Sequence, residues 1–179
     1  TIAPRGRDRF FEDIFEIKQQ YYLGRFQFQF SVHSTDPVQR RHIIPTPTWD
    51  LEKMCDYGNR FVKKEDRKVA LNFALAQDSI VDPDILARHF DPEKFLIKIT
   101  PINPTYRSQE KGLASGVDTS NENLPYHSQL VTRLKHFGFQ VILSVGELSE
   151  NDVGSNCGQF VRRHLASQNK LKKGYGLVH

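Results

Sequence analysis

Cys157 stands in the run Val153-Gly154-Ser155-Asn156-Cys157-Gly158-Gln159-Phe160. Small residues on both sides leave the thiol reachable, and the run opens a segment with a helical pattern. A helix N-terminus lowers the pKa of a nearby thiol, and the thiolate is the nucleophile. A lone cysteine at a strand-to-helix turn is more often a small buried residue, so its weight depends on the company it keeps. That company is Ser31, Val32 and His33 at the end of one strand-like run, and Asn103 just past another. Singly, each reads as structural: His33 as a satisfied strand-end histidine, Ser31 as filler, Asn103 as the turn residue before Pro104. Together, polar residues at successive strand ends beside a cysteine turn describe a ligand site. No G-x-S-x-G elbow, Walker loop or G-x-G-x-x-G is present, which argues against a serine hydrolase and against nucleotide binding of those kinds. The histidines lie at neither HxH nor HxxxH spacing, so no zinc signal arises.

The elements that must position these residues follow from periodicity. Phe10, Phe11, Ile14, Phe15, Ile17 and Tyr21 recur at helical spacing over Arg7 to Tyr21, and Gly24 ends that segment. Arg25 to Val32 alternates Phe with Gln, a strand with one packed face and one polar face. Thr35-Asp36-Pro37 starts a short helix. Asp50 caps another, with Leu51, Met54, Cys55, Tyr57, Phe61 and Val62 on its apolar side; Cys55 therefore reads as core. Val69 to Leu75 is a strand, Asp82-Pro83 opens a helix ending near His89, and Phe95 to Ile102 is a strand. Leu124 to Phe137 reads as a helix closed by Gly138, Phe139 to Val145 as a strand, and Ser155 to about Ser167 as a last helix. Strands alternating with helical crossovers predict an α/β fold with a parallel sheet. Such sheets carry their chemistry at the C-terminal ends of the strands, which is where Ser31, His33 and Asn103 fall.

Composition sets the class. The chain has 179 residues, 38% hydrophobic and 26% charged, enough for one globular domain with a real core. No apolar run approaches the roughly 20 residues of a membrane span, and the charged N-terminus is no signal peptide. Two cysteines make no disulfide framework and suit a reducing cytoplasm. A net charge of +4 permits an anionic partner such as RNA without demanding one. The basic segment 168–179 reads as a solvated tail.

Four stretches are familiar in order and approximate spacing. These are Phe30-Ser31-Val32-His33-Ser34, Arg40-Arg41-His42-Ile43-Ile44-Pro45, Ile99-Thr100-Pro101-Ile102-Asn103-Pro104 and Asn156-Cys157-Gly158-Gln159. They resemble the C-terminal half of the radical S-adenosylmethionine (radical SAM) enzymes that methylate adenine C2 or C8 of 23S ribosomal RNA, whose patterns run roughly S-L-H-A, R-x-x-I-V-P, N-L-I-P-x-N-P and A-C-G-Q. The resemblance implies that residues 1–179 are the C-terminal part of an incomplete (β/α)₆ radical SAM barrel, with 104–123 a long loop. It implies Ser31, Val32, His33 and Asn103 beside S-adenosylmethionine, Cys157 as the methyl-carrying cysteine, a [4Fe-4S] cluster as the second cofactor, RNA as partner and a cytoplasmic setting. The family's C-x-x-x-C-x-x-C loop and the G-E-P segment after it are absent, so the cluster ligands are expected in a preceding N-terminal part and the chain alone is expected to be inactive. Ser144 to Ser155 also departs from the family's Arg-x-x-x-Gly-Asp-Asp-Ile. Two alternatives stay open: a radical SAM enzyme of other chemistry on another substrate, and a non-catalytic RNA-binding domain.

Overall fold

The computed structural model describes residues 1–75, 78–101 and 125–144. Four strands form its sheet: β1 (Gln29–Ser31), β2 (Val69–Leu75), β3 (Phe95–Pro101) and β4 (Gln140–Leu143). They lie in the order β1-β2-β3-β4, and every pairing is parallel. Parallel neighbours need crossovers, and α2 (Pro37–Ile43), α3 (Leu51–Phe61), α4 (Pro83–His89) and α5 (Pro125–His136) supply them, while α1 (Asp8–Tyr21) precedes β1. Right-handed crossovers that always step the same way put the helices on one side of the sheet. This is the partial β/α architecture expected from the sequence.

Ladder geometry also reaches the start of the chain. The Thr1 amine donates to Gln29 O at 3.0 Å, and Ser31 N donates to Thr1 O at 2.7 Å. One residue bonding two alternate residues of its neighbour is the parallel pattern, so β1 has a neighbour on each side.

Period-2 alternation divides the strands into two faces. Phe28, Phe30, Val32, Val69, Leu71, Phe73, Leu75, Phe95, Ile97 and Ile99 share one cluster with Phe11 of α1, Met54, Tyr57 and Phe61 of α3, Leu86 of α4, and Leu130 and Leu134 of α5. Aromatic edges and faces fill that layer. The Phe11 ring lies 4.2 Å from Trp49 and 5.5 Å from Tyr57, and Phe28 lies 5.0 Å from both Phe30 and Phe61. Gly58 lets α3 approach, because a Cβ there would meet the buried Phe95 ring at 2.3 Å.

Local signals place the helices. Asp36 accepts from Gln39 N, Asp50 from Lys53 N and Asp82 from Asp84 N, with proline in the first turn of α2 and α4. The regular part of β1 is shorter than the Phe/Gln alternation predicts, because Arg25 N and Phe26 N bond back to Tyr22 O in a turn. The alternation itself holds: Phe28 and Phe30 are buried on the helix side. In α1 the apolar stripe is broader than the buried face, for Phe10, Ile17 and Tyr21 are 54%, 45% and 58% exposed. Asn103, Cys157, the loop 104–123, the helix expected from Ser155 and the tail 168–179 lie outside the described residues.

A buried ion pair ties α1 to the loop that feeds β2. Lys18 is fully buried, donates to Phe61 O at 2.8 Å and pairs with Asp66, whose side chain is 2% exposed. Asp66 also accepts from Gly24 N and Lys63 N, each at 2.9 Å. Burial pushes its carboxyl up, but Lys18 and the two amides outweigh that and hold it below the usual carboxylate range. Gly24 has φ 71, and a Cβ there would sit 2.9 Å from Glu65 O, so the turn takes glycine alone. Asp66→Asn leaves the Lys18 ammonium buried without a counter-charge and is expected to cost about 3–5 kcal/mol in urea unfolding. A loss under about 1 kcal/mol, the size of an exposed pair, would mean that the clamp is not closed in solution.

Candidate functional site

The strand face away from the helices has a different character. In register across it stand Gln29, Ala70, Leu96 and Gln140, then Ser31, Asn72, Lys98 and Ile142. Ala74 and Thr100 form the next level toward the C-terminal ends. Within these positions the polar groups are hydroxyls, amides and one ammonium, with no carboxylate. Neighbouring strands sit about 4.8 Å apart, so Ser31, Asn72 and Lys98 form a row about 10 Å wide.

Two members of that row were not singled out by the sequence reading, which weighted the ends of strands. Asn72 is 9% exposed, and its Oδ1 has no hydrogen-bond partner among the described residues. Leaving such an acceptor unmade costs about 1–3 kcal/mol. Lys98 is half-buried and has no ion-pair partner among the described residues. The signal lay in the alternation: Ala70-Asn72-Ala74 and Leu96-Lys98-Thr100 interleave with fully apolar positions. A polar residue at the alternate position of an otherwise apolar strand marks a second face that is not simple core.

The predicted residues of β1 separate. Ser31 belongs to the row. The Val32 side chain is fully buried in the helix-side core, its N–H donates to Asn72 O at 2.8 Å, and its carbonyl accepts from Ser34 N at 2.9 Å. His33 ends the strand in the left-handed region at φ 64, which is uncommon for a residue other than glycine. Its Nδ1 accepts from Ala74 N at 3.1 Å, and its own N–H reaches Asn72 O at 3.3 Å. An accepting Nδ1 places the ring proton on Nε2. Burial, reinforced by the Arg40 guanidinium, lowers the His33 pKa to about 4, so the ring is a neutral Nε2–H donor near neutral pH. The structure thus brings Ser31 and His33 together at the C-terminal side of the sheet and adds Asn72 and Lys98.

Other reactive-looking features lie elsewhere. Cys55 on α3 donates from Sγ to His89 O at 2.7 Å and accepts from Asn59 Nδ2 at 3.1 Å. Burial, then the Asp56 charge, pushes its thiol up, so it is a poor nucleophile. A cleft lined by Asp8, Glu12, Trp49, Lys53, Tyr57 and Arg60 opens between α1 and α3 on the helix side. Its cations are already spent on Asp8 and Glu12. No cluster of three or more His, Cys, Asp or Glu that could hold a metal occurs among the described residues, and none of their helices is long and apolar enough to cross a membrane.

The folded pKa of His33 lies below the unfolded value, so the unfolded chain takes up its proton first as pH falls. The stability linked to a neutral His33 is complete above about pH 6.5 and is lost as pH falls toward 4. His33→Asn, which tolerates the left-handed backbone, is expected to flatten that limb in thermal melts between pH 6.5 and 4. Parallel curves for the two proteins in that window would show that His33 is not held neutral.

No protein-family model matches the chain, and no curated protein matches it. Among solved structures it is similar to the crystal structure of a radical SAM methyltransferase from Sphaerobacter thermophilus, at 16% sequence identity and a TM-score of 0.54. The likeness covers 83% of this chain and 41% of that one, so the chain spans about two fifths of that protein's length. At this identity the likeness is one of fold: the consecutive parallel sheet described above is an arrangement also found in a radical SAM methyltransferase.

Proposed function

We propose that this chain forms the S-adenosylmethionine-binding wall of a radical SAM methyltransferase-type enzyme acting on adenine in RNA. The observation that carries the reading is the consecutive parallel sheet whose second face is polar, with Ser31 and His33 at its C-terminal side, in a fold like that of a radical SAM methyltransferase. The motif resemblance around Ser31, His33, Asn103 and Cys157 points the same way and supplies the RNA acceptor.

The residues divide the work by chemistry. His33 offers a neutral N–H donor whose orientation is fixed by the Ala74 amide. Ser31 can donate or accept beside it, and Asn103 adds an amide. Cys157 is the nucleophile: its thiolate attacks the sulfonium methyl, the new S–CH₃ bond forms, and the old bond leaves its electron pair on S-adenosylhomocysteine. The thiol proton departs beforehand to solvent. A radical SAM cluster takes three cysteine thiolates in the family pattern; this chain has two cysteines, and Cys55 is engaged by His89 O. These residues do not make a cluster site, and no step here runs through one. Cluster ligands would come from other sequence.

Incubation of the protein, together with the sequence that supplies its cluster ligands, with S-adenosylmethionine, followed by intact and peptide mass analysis, tests the reading. The expected result is one added methyl on the Cys157 peptide with release of S-adenosylhomocysteine, both abolished in Cys157→Ala. Saturable binding of S-adenosylmethionine with no modified cysteine would leave a binding wall without the methyl-carrier role. No binding at all would contradict the proposal.

A further inference from the structure

We infer that Lys98 and Asn72 form an oxyanion-recognition pair on the second face of the sheet, receiving a ligand that carries a carboxylate or phosphate next to a hydrogen-bond donor. The inference rests on the reading of that face as the ligand side and adds the charge of what binds there.

Three features argue for it. Lys98 lies in mid-strand on β3, half-buried and without a carboxylate partner among the described residues. A partly desolvated ammonium with no counter-charge attracts an anion more strongly than an exposed one. The adjoining Asn72 Oδ1, nine-tenths buried, has an acceptor position unused by the described residues. One neighbour therefore lacks an anion and the other lacks a donor, about 5 Å apart. Ser31, on the far side of Asn72, can serve either need. Finally, no Asp or Glu stands on this face of the four strands, so nothing on them repels an anion.

The chemistry has two sources, the methionine carboxylate of S-adenosylmethionine or a phosphate of the acceptor, and titration calorimetry at low salt separates them. The probes are S-adenosylhomocysteine (carboxylate only), adenosine monophosphate (phosphate only) and adenosine (neither). Wild-type chain is expected to bind one anionic probe more tightly than adenosine. Lys98→Met is expected to weaken that probe by about tenfold or more while leaving adenosine unchanged. Lys98→Arg, which keeps the charge, retains most of the affinity, and equal melting temperatures of the three proteins exclude unfolding. Loss confined to S-adenosylhomocysteine assigns the carboxylate, and loss confined to adenosine monophosphate assigns the phosphate. Lys98-dependent binding of adenosine monophosphate without any affinity for S-adenosylhomocysteine would sink the methyl-donor reading and keep the pair. Anionic probes that bind no better than adenosine, or equally to Lys98→Met, overturn the inference.

Discussion

Parallel pairing in unbroken chain order is the constraint from which the rest follows. A parallel strand cannot be reached by a hairpin, so each step from β1 to β4 carries a crossover. Each crossover steps the same way, and a right-handed chain then lays its helices on one side. The sheet acquires two unlike faces: one sealed by the Phe11, Phe28, Phe30, Tyr57 and Phe61 cluster, the other left for amides, hydroxyls and an ammonium. A sheet whose strand order reversed would have helices on both faces and a site only at the switch point.

The two faces differ in how their polar groups are met. On the helix side most polar groups are matched, as where Asp66 satisfies Lys18, Gly24 and Lys63, or where the Tyr57 hydroxyl donates to Phe11 O at 2.8 Å, although the buried Trp49 Nε1 and Arg40 Nε have no hydrogen-bond partner among the described residues. On the other side, among the described residues, Asn72 is buried with its acceptor unmet, Lys98 stands without an anion, and His33 holds a left-handed backbone. Departures from local consistency gather where a protein binds something. Three of them, at His33, Asn72 and Lys98, fall in adjacent rows of one sheet face.

Much of this was legible in the sequence, because the elements carry local chemistry. Asp36-Pro37, Asp50 and Asp82-Pro83 announced their helices, and the runs Val69–Leu75 and Phe95–Pro101 announced β2 and β3. The Phe/Gln alternation of β1 gave the two faces before any coordinates. What stayed hidden depends on contacts distant in sequence. Nothing near Lys18 discloses that Asp66 will bury it. Trp49, 3% exposed against Phe11, carried no periodic signal because it precedes α3 rather than lying in it. Asn72 and Lys98 read as incidental until register placed them beside Ser31. The outward turn of Phe10, Ile17 and Tyr21 shows the limit of periodicity, which finds an apolar stripe but not how much of it is covered.

The central claim is that the strand face away from the helices is where ligand binds. Amide chemical shifts of the 20.7 kDa chain during titration with S-adenosylmethionine test it most directly. The account predicts that the largest changes fall on Ser31, His33, Asn72, Lys98 and Thr100, with the cleft residues Asp8, Lys53 and Arg60 unmoved. Shifts centred on that cleft, or no shifts at all, would contradict it.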